Sequence, residues 1–203
     1  MPILGTIASQ FSGKPFTTGS FESIATVTGT TSQTITFSDI PQTFTHLQIR
    51  AIARTVVSGY LFSGYTMRVG NGSADSSSNY AYHRFYTSGN GTISSDGAAS
   101  YSALGDFFFT ASNALANNFA ITIVDILDYR NTNKFKTTKH LTAFDNNDSG
   151  DAGFTNNARA AMSYGSGLWR STLAIDTISL ILGGSGTTNN ANSHFALYGI
   201  KDS

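Results

Sequence analysis

Apolar and polar residues alternate with a period of two along most of this chain, and that pattern limits what it can fold into. Successive side chains of an extended strand point to opposite sides, so the alternation builds strands with one face in a core. In THLQIRAIAR, Leu47, Ile49, Ala51 and Ala53 share one face, and His46, Gln48, Arg50 and Arg54 share the other. The same reading gives strands in SFESIATVT, QTITF, YTMRVG, NYAYHRFY, ALGDFFFTA, FAITIVDILDY, NKFKTTKHL, ARAAMSY, IDTISLIL and HFALYGI. Clusters of turn formers separate them: GNGSADSSSN, TSGNGTISSDG, DNNDSGDAG and GGSGTTNNANS. No segment sustains a helical period, and TASNALANN reads as a loop. Roughly ten strands at a spacing of about 10–15 residues predict a single all-β domain, an antiparallel β-sandwich of jelly-roll type. Residues 21–203 are assigned to the sandwich, and residues 1–20, where alternation is weak, to a short N-terminal arm.

A chain of 203 residues suits one such domain. Only 12% of residues are charged and Glu22 is the sole glutamate; Ser, Thr, Asn and Gly supply most of the polarity, which favours strands and turns over helices. Cysteine is absent, so disulfides and thiolate metal sites are excluded. Formal net charge is zero, which gives no long-range pull toward nucleic acid or anionic membrane. No apolar run reaches the length of a membrane-spanning helix. The opening MPILGTIASQ has neither the basic nor the apolar region of a secretory signal, so the expectation is a soluble protein made in a cytoplasm.

The stretch DILDYRNTNKFKTTKH concentrates charge: Asp125 and Asp128 with Arg130, Lys134, Lys136 and Lys139. The strand before it is apolar on both faces, with Phe119, Ile121 and Ile123 on one and Ala120, Val124 and Ile126 on the other. That predicts a central strand covered on both sides. The chain then turns at Arg130–Asn133 and returns with Lys134, Lys136, Thr138 and His140 as a basic outer face. Asp125 and Asp128 fall on opposite faces of a strand and make no acid/base pair. His46, His83, His140 and His194 lie on separate strands without metal-ligand spacing. No catalytic constellation emerges, and a non-enzymatic protein without a cofactor is expected. The most ligand-like loop is DNNDSGDAG, where Asp145, Asn147, Ser149 and Asp151 alternate as at the start of a calcium loop but without its closing glutamate. In NYAYHRFY, Tyr80, Tyr82, Arg84 and Tyr86 share a face that could serve as a subunit interface or stack on glycan rings, with Ala81, His83 and Phe85 turned inward.

Four phrases, ITFSDIPQTFTHLQIRAIAR, VDILDYRNTNKFKTTKHL, SGLWRSTLAIDTISL and SHFALYGIK, resemble a group of tailed-bacteriophage virion proteins. The resemblance runs from about Phe21 to Lys201, is most specific at FALYGIK and least distinctive from Gly59 to Leu115. It implies a β-rich structural protein of the phage particle, without enzymatic activity, and brings no functional residues with it. The expectation is a capsid decoration or a neck or tail component, made in the host cytoplasm and located in the virion. It would self-associate and dock on other virion proteins such as the major capsid or tail proteins, with no direct nucleic-acid or membrane contact. The arm side chains Ile3, Leu4, Ile7, Phe11 and Phe16 are candidates for assembly contacts. The alternative is a glycan-binding sandwich, a receptor-binding part of the same particle.

Overall fold

A computed structural model describes residues 20–28, 31–88, 92–146, 160–183 and 187–201. Its described residues contain strands and no helix. The strands are β1 (Phe21–Thr28), β2 (Thr34–Phe37), β3 (His46–Ala53), β4 (Phe62–Asn71), β5 (Ser73–Ala74), β6 (Tyr80–Ser88) and β7 (Ile93–Tyr101). They continue with β8 (Leu104–Thr110), β9 (Ala120–Leu127), β10 (Lys136–Asp145), β11 (Ala160–Trp169), β12 (Thr177–Leu182) and β13 (His194–Ile200). Two antiparallel sheets pack face to face, as the alternation predicts. Residues 1–19 of the proposed arm lie outside the described residues, which begin at Ser20, one position before β1.

The pairing is nested. β1 pairs with β13, β2 with β12, β3 with β9 and β4 with β8. Strands β13 and β3 then join, as do β12 and β4, giving the orders β1-β13-β3-β9 and β2-β12-β4-β8. This is an antiparallel ribbon rolled on itself, the jelly roll expected from sequence. Two excursions enlarge one sheet. β10 and β11, between β9 and β12, and β6 and β7, between β4 and β8, extend it to eight strands: β1-β13-β3-β9-β10-β11-β6-β7.

The core lies where the two sheets face each other. Cross-strand rungs such as Ile35–Leu180–Met67 and Phe37–Ile178–Val69 build the small sheet's inner face, all buried. Leu47, Ile49, Val124, Ile126, Phe195 and Leu197 answer from the large sheet. Tyr65 packs edge-on against Phe109 at 4.8 Å, and its hydroxyl bonds Asn189 Oδ1. Each large buried aliphatic or aromatic side chain contributes roughly 1.5–3 kcal/mol.

Two buried cations hold loops in place of carboxylate partners. The Arg54 guanidinium donates to the carbonyls of Ser112, Ala114, Leu115 and Asn118 at 2.7–3.1 Å, wrapping the loop between β8 and β9. Lys136 is fully buried, and its Nζ donates to the carbonyls of Asn131 (2.6 Å), Lys134 (2.9 Å) and Thr172 (3.2 Å). Burial lowers both pKa values from their ordinary range. A carbonyl cage replaces the water such charges would lose.

A candidate interaction surface

The four added strands reverse the usual polarity of a sandwich. On β10 the inward residues are Lys136, Thr138, His140, Thr142 and Phe144, and the outward ones include Lys139, Leu141 and Ala143. Thus Lys136, Thr138 and His140 of the basic face expected to be solvated point into the molecule, while Lys134 is exposed as expected and so is Phe135, just before the strand. Polar partners make this inward placement affordable. Thr142 Oγ1 lies 2.6 Å from Thr122 Oγ1 and donates to the Phe108 carbonyl, and His140 Nε2 lies 3.2 Å from Ser163 Oγ. His140 also meets the Phe107 ring edge-on, and burial followed by the charge of Arg84 lowers its pKa to about 4.

β6 is reversed in the same way. Tyr80 is fully buried; its hydroxyl accepts from Val69 N–H and lies 2.8 Å from the Val69 carbonyl. Arg84 is buried, bidentate to Asp96 on β7 at 2.7 and 2.8 Å, with its guanidinium over the rings of Tyr86 and Phe108. Tyr82 and Tyr86 are half-buried, edge-on to Tyr101 and Phe108 respectively. The face proposed for partner or glycan contact is therefore the inner one, and Tyr80 is out of reach of any ligand. His83 and Phe85, expected inside, are exposed. Alternation groups residues by face but does not say which face is buried; Asp96 and the rings of Tyr86 and Phe108 decide it for Arg84.

Toward one end of its strands the large sheet presents apolar side chains outward. One row runs across β3, β9, β10 and β11 as Ile52, Ile121, Ala143 and Met162. The next runs across β3, β9, β10, β11 and β6 as Arg50, Ile123, Leu141, Tyr164 and Phe85, so it is apolar from β9 onward and ends in a cation on β3. Ile52 is 53% exposed, Ile121 49%, Met162 45%, Leu141 39%, Tyr164 40% and Phe85 51%. Tyr164 and Phe85 pack at 5.4 Å. The central strand β9, expected to be covered on both sides, is covered on one. The outer face of the small sheet contrasts with this surface: Thr34, Thr36, Ser179, Thr66 and Arg68 occupy it together with the half-buried Ile181. Side chains on the two outer faces thus differ in kind.

A polar band borders the apolar rows. Arg50 Nε donates to Gln48 Oε1 and Gln48 Nε2 to Asp125 Oδ1, both at 2.7 Å, while Lys139 Nζ lies 3.3 Å from Asp125 Oδ2. Ser166 and His83 continue the band across β11 and β6. Asp128, at a φ of 50°, sits apart at the hairpin turn, where Lys134 Nζ at 2.6 Å lowers its pKa and its own N–H donates to His46 Nδ1. The two aspartates thus serve different cations. A cleft of about 290 Å³ beside this turn is lined by Thr45, Asp128 and residues Arg130 to Asn133.

The four histidines stay on four strands, and no group of three metal-ligating side chains occurs among the described residues. Of the calcium-like loop, Asp145 ends β10, while Asn147, Ser149 and Asp151 lie outside the described residues, as do Ile3, Leu4, Ile7, Phe11 and Phe16. Among the described residues no helix is long and apolar enough to cross a membrane. No protein-family model and no curated protein matches this chain.

Proposed function

We propose that this protein is a non-enzymatic structural component of a tailed-bacteriophage virion, a capsid decoration or a neck or tail part, that works by self-association and by docking on other virion proteins. The observation that carries the proposal is the apolar outer face of the large sheet. Six side chains there, 39–53% exposed, present on the order of 600 Å², the top of the range found for the largest patch on ordinary monomers. Such a face has its use in a partner. The jelly roll suits this role because its nested pairing leaves a broad sheet face for contact, and the phrases resembling phage virion proteins agree with it.

Immunogold labelling of purified particles with an antibody to this chain tests the proposal. Regular label on the particle, surviving a density gradient, is expected; particles free of the chain would refute it.

The glycan-binding alternative moves to a different pair of rings. Phe85 and Tyr164 are exposed beside Ser166, His83 and the Asp125–Lys139 pair, so aromatic and hydrogen-bonding groups stand together. Binding on a glycan array, lost in Tyr164→Ala, would favour this reading.

A further inference from the structure

We infer that the apolar face of the eight-stranded sheet is the surface by which two copies of this chain pair, sheet against sheet. The inference rests on the proposed self-association and names its surface and partner. The first argument is area. About 600 Å² of apolar side chain from each copy, with the polar band added at the rim, reaches the roughly 1,200–2,000 Å² total of a stable interface. The second is arrangement. The apolar rows lie toward one end of the strands and the bonded band of Gln48, Asp125, Lys139 and Ser166 lies beside them.

A two-fold axis lying in the interface, running across the strands between the two rows, sets the first row of each copy over the second row of the other. Small Ala143 then comes under large Leu141, Ile52 comes over Arg50 at the β3 edge, where the guanidinium is held by Gln48, and the two polar bands fall on opposite rims. An apolar centre with a polar rim is the usual anatomy of such contacts. The same patch serves both copies, as a two-fold dimer requires. The third argument is charge. The chain has zero formal net charge, so no overall repulsion separates copies and no field selects an oppositely charged partner.

Sedimentation equilibrium of the full chain up to about 100 µM is the test, with Ile121→Glu and Met162→Glu as separate variants and Thr36→Glu on the opposite sheet as control. Each altered side chain is exposed, and a cooperative thermal transition checks the fold of each variant. The expected result is a dimer for the natural chain and the control, and a dimer at least a hundredfold weaker for both outer-face variants, about 3 kcal/mol on the affinity scale. Deletion of residues 2–18 should leave the dimer intact. A natural chain that is monomeric at about 100 µM overturns the inference, as does a dimer that both glutamates leave unchanged or that the deletion dissolves. A monomeric chain that still labels particles defeats this inference and the self-association it rests on but leaves the virion role standing; a dimeric chain absent from particles defeats the virion role alone.

Discussion

His140 shows how a single residue on the reversed strand sets a condition for stability. It is buried against Phe107 and Ser163, with Arg84 adding positive charge nearby, and its folded pKa of about 4 lies below its ordinary 6.5. The unfolded chain therefore binds the proton first as pH falls. The stability that comes from keeping this imidazole neutral is fully present above about pH 6.5 and is lost progressively down to about pH 4. A gap of this size corresponds to about 3 kcal/mol. The paired carboxylates Asp96 and Asp128, whose pKa values are lowered by Arg84 and Lys134, begin to lose their contribution at lower pH, near the ordinary carboxylate value of 3.8. Urea denaturation at pH 7, 6 and 5 separates the two effects. The natural chain should weaken steadily across that window, and His140→Gln, which keeps a hydrogen-bonding group but does not titrate, should follow a flatter line. Parallel lines for the two proteins would show that the ring does not stay neutral in the fold.

Strand β11 supplies the room that the buried polar residues need. Its inward positions include Ser163, Gly165 and Gly167, all small. A Cβ on Gly165 would lie 2.6 Å from His140 Cε1, 2.7 Å from the His83 carbonyl and 2.8 Å from Arg84 Cβ, and the last two cannot swing aside. Gly165→Ala should therefore lower the free energy of unfolding by about 1–3 kcal/mol, the usual range for overpacking. Ser166→Ala, one position along and facing out, should change it by no more than about 0.5 kcal/mol. Equal denaturation midpoints for the two variants would show that the sheet opens to admit the methyl. These glycines also explain what sequence could and could not reveal. The run ARAAMSY was legible as a strand, but β11 continues through Gly165 and Gly167 to Trp169, because glycine is favoured here for close approach and not for a turn. β7 was missed for a related reason: ISSDGAASY looks like turn chemistry, and its pairing with β6 comes from a neighbour's register. Alternation found most of the strands and so the fold. It could not assign the inner face of β6 or β10, because Arg84 and Lys136 are buried by an aspartate and three carbonyls that local sequence does not display.

The nested pairing makes the two ends of the described chain depend on each other. β1 hydrogen-bonds to β13 and to no other described strand, with Phe21 opposite Ile200 and Thr28 opposite His194. β13 in turn stands between β1 and β3, and its Phe195 and Leu197 are fully buried in the core between the sheets. The rolled sheet is thus closed by the last of the described strands, the one carrying FALYGI. Contacts between residues so far apart in sequence give no return until most of the chain is ordered, which makes such topologies slow to fold and strongly cooperative. A chain ending at Ser193 loses two large buried side chains, the only described partner of β1 and one of the two neighbours of β3 at one stroke. Two such side chains alone represent about 3–6 kcal/mol, much of the roughly 5–15 kcal/mol by which an ordinary domain is stable. The truncated chain should show no cooperative thermal transition and should bind a hydrophobic dye such as ANS. Removing residues 2–18 leaves every described pairing in place and should preserve the transition. A sharp transition in the chain that ends at Ser193 would mean that β3 and β9 with the small sheet fold without closure of the roll, and that β1 is held by something other than β13.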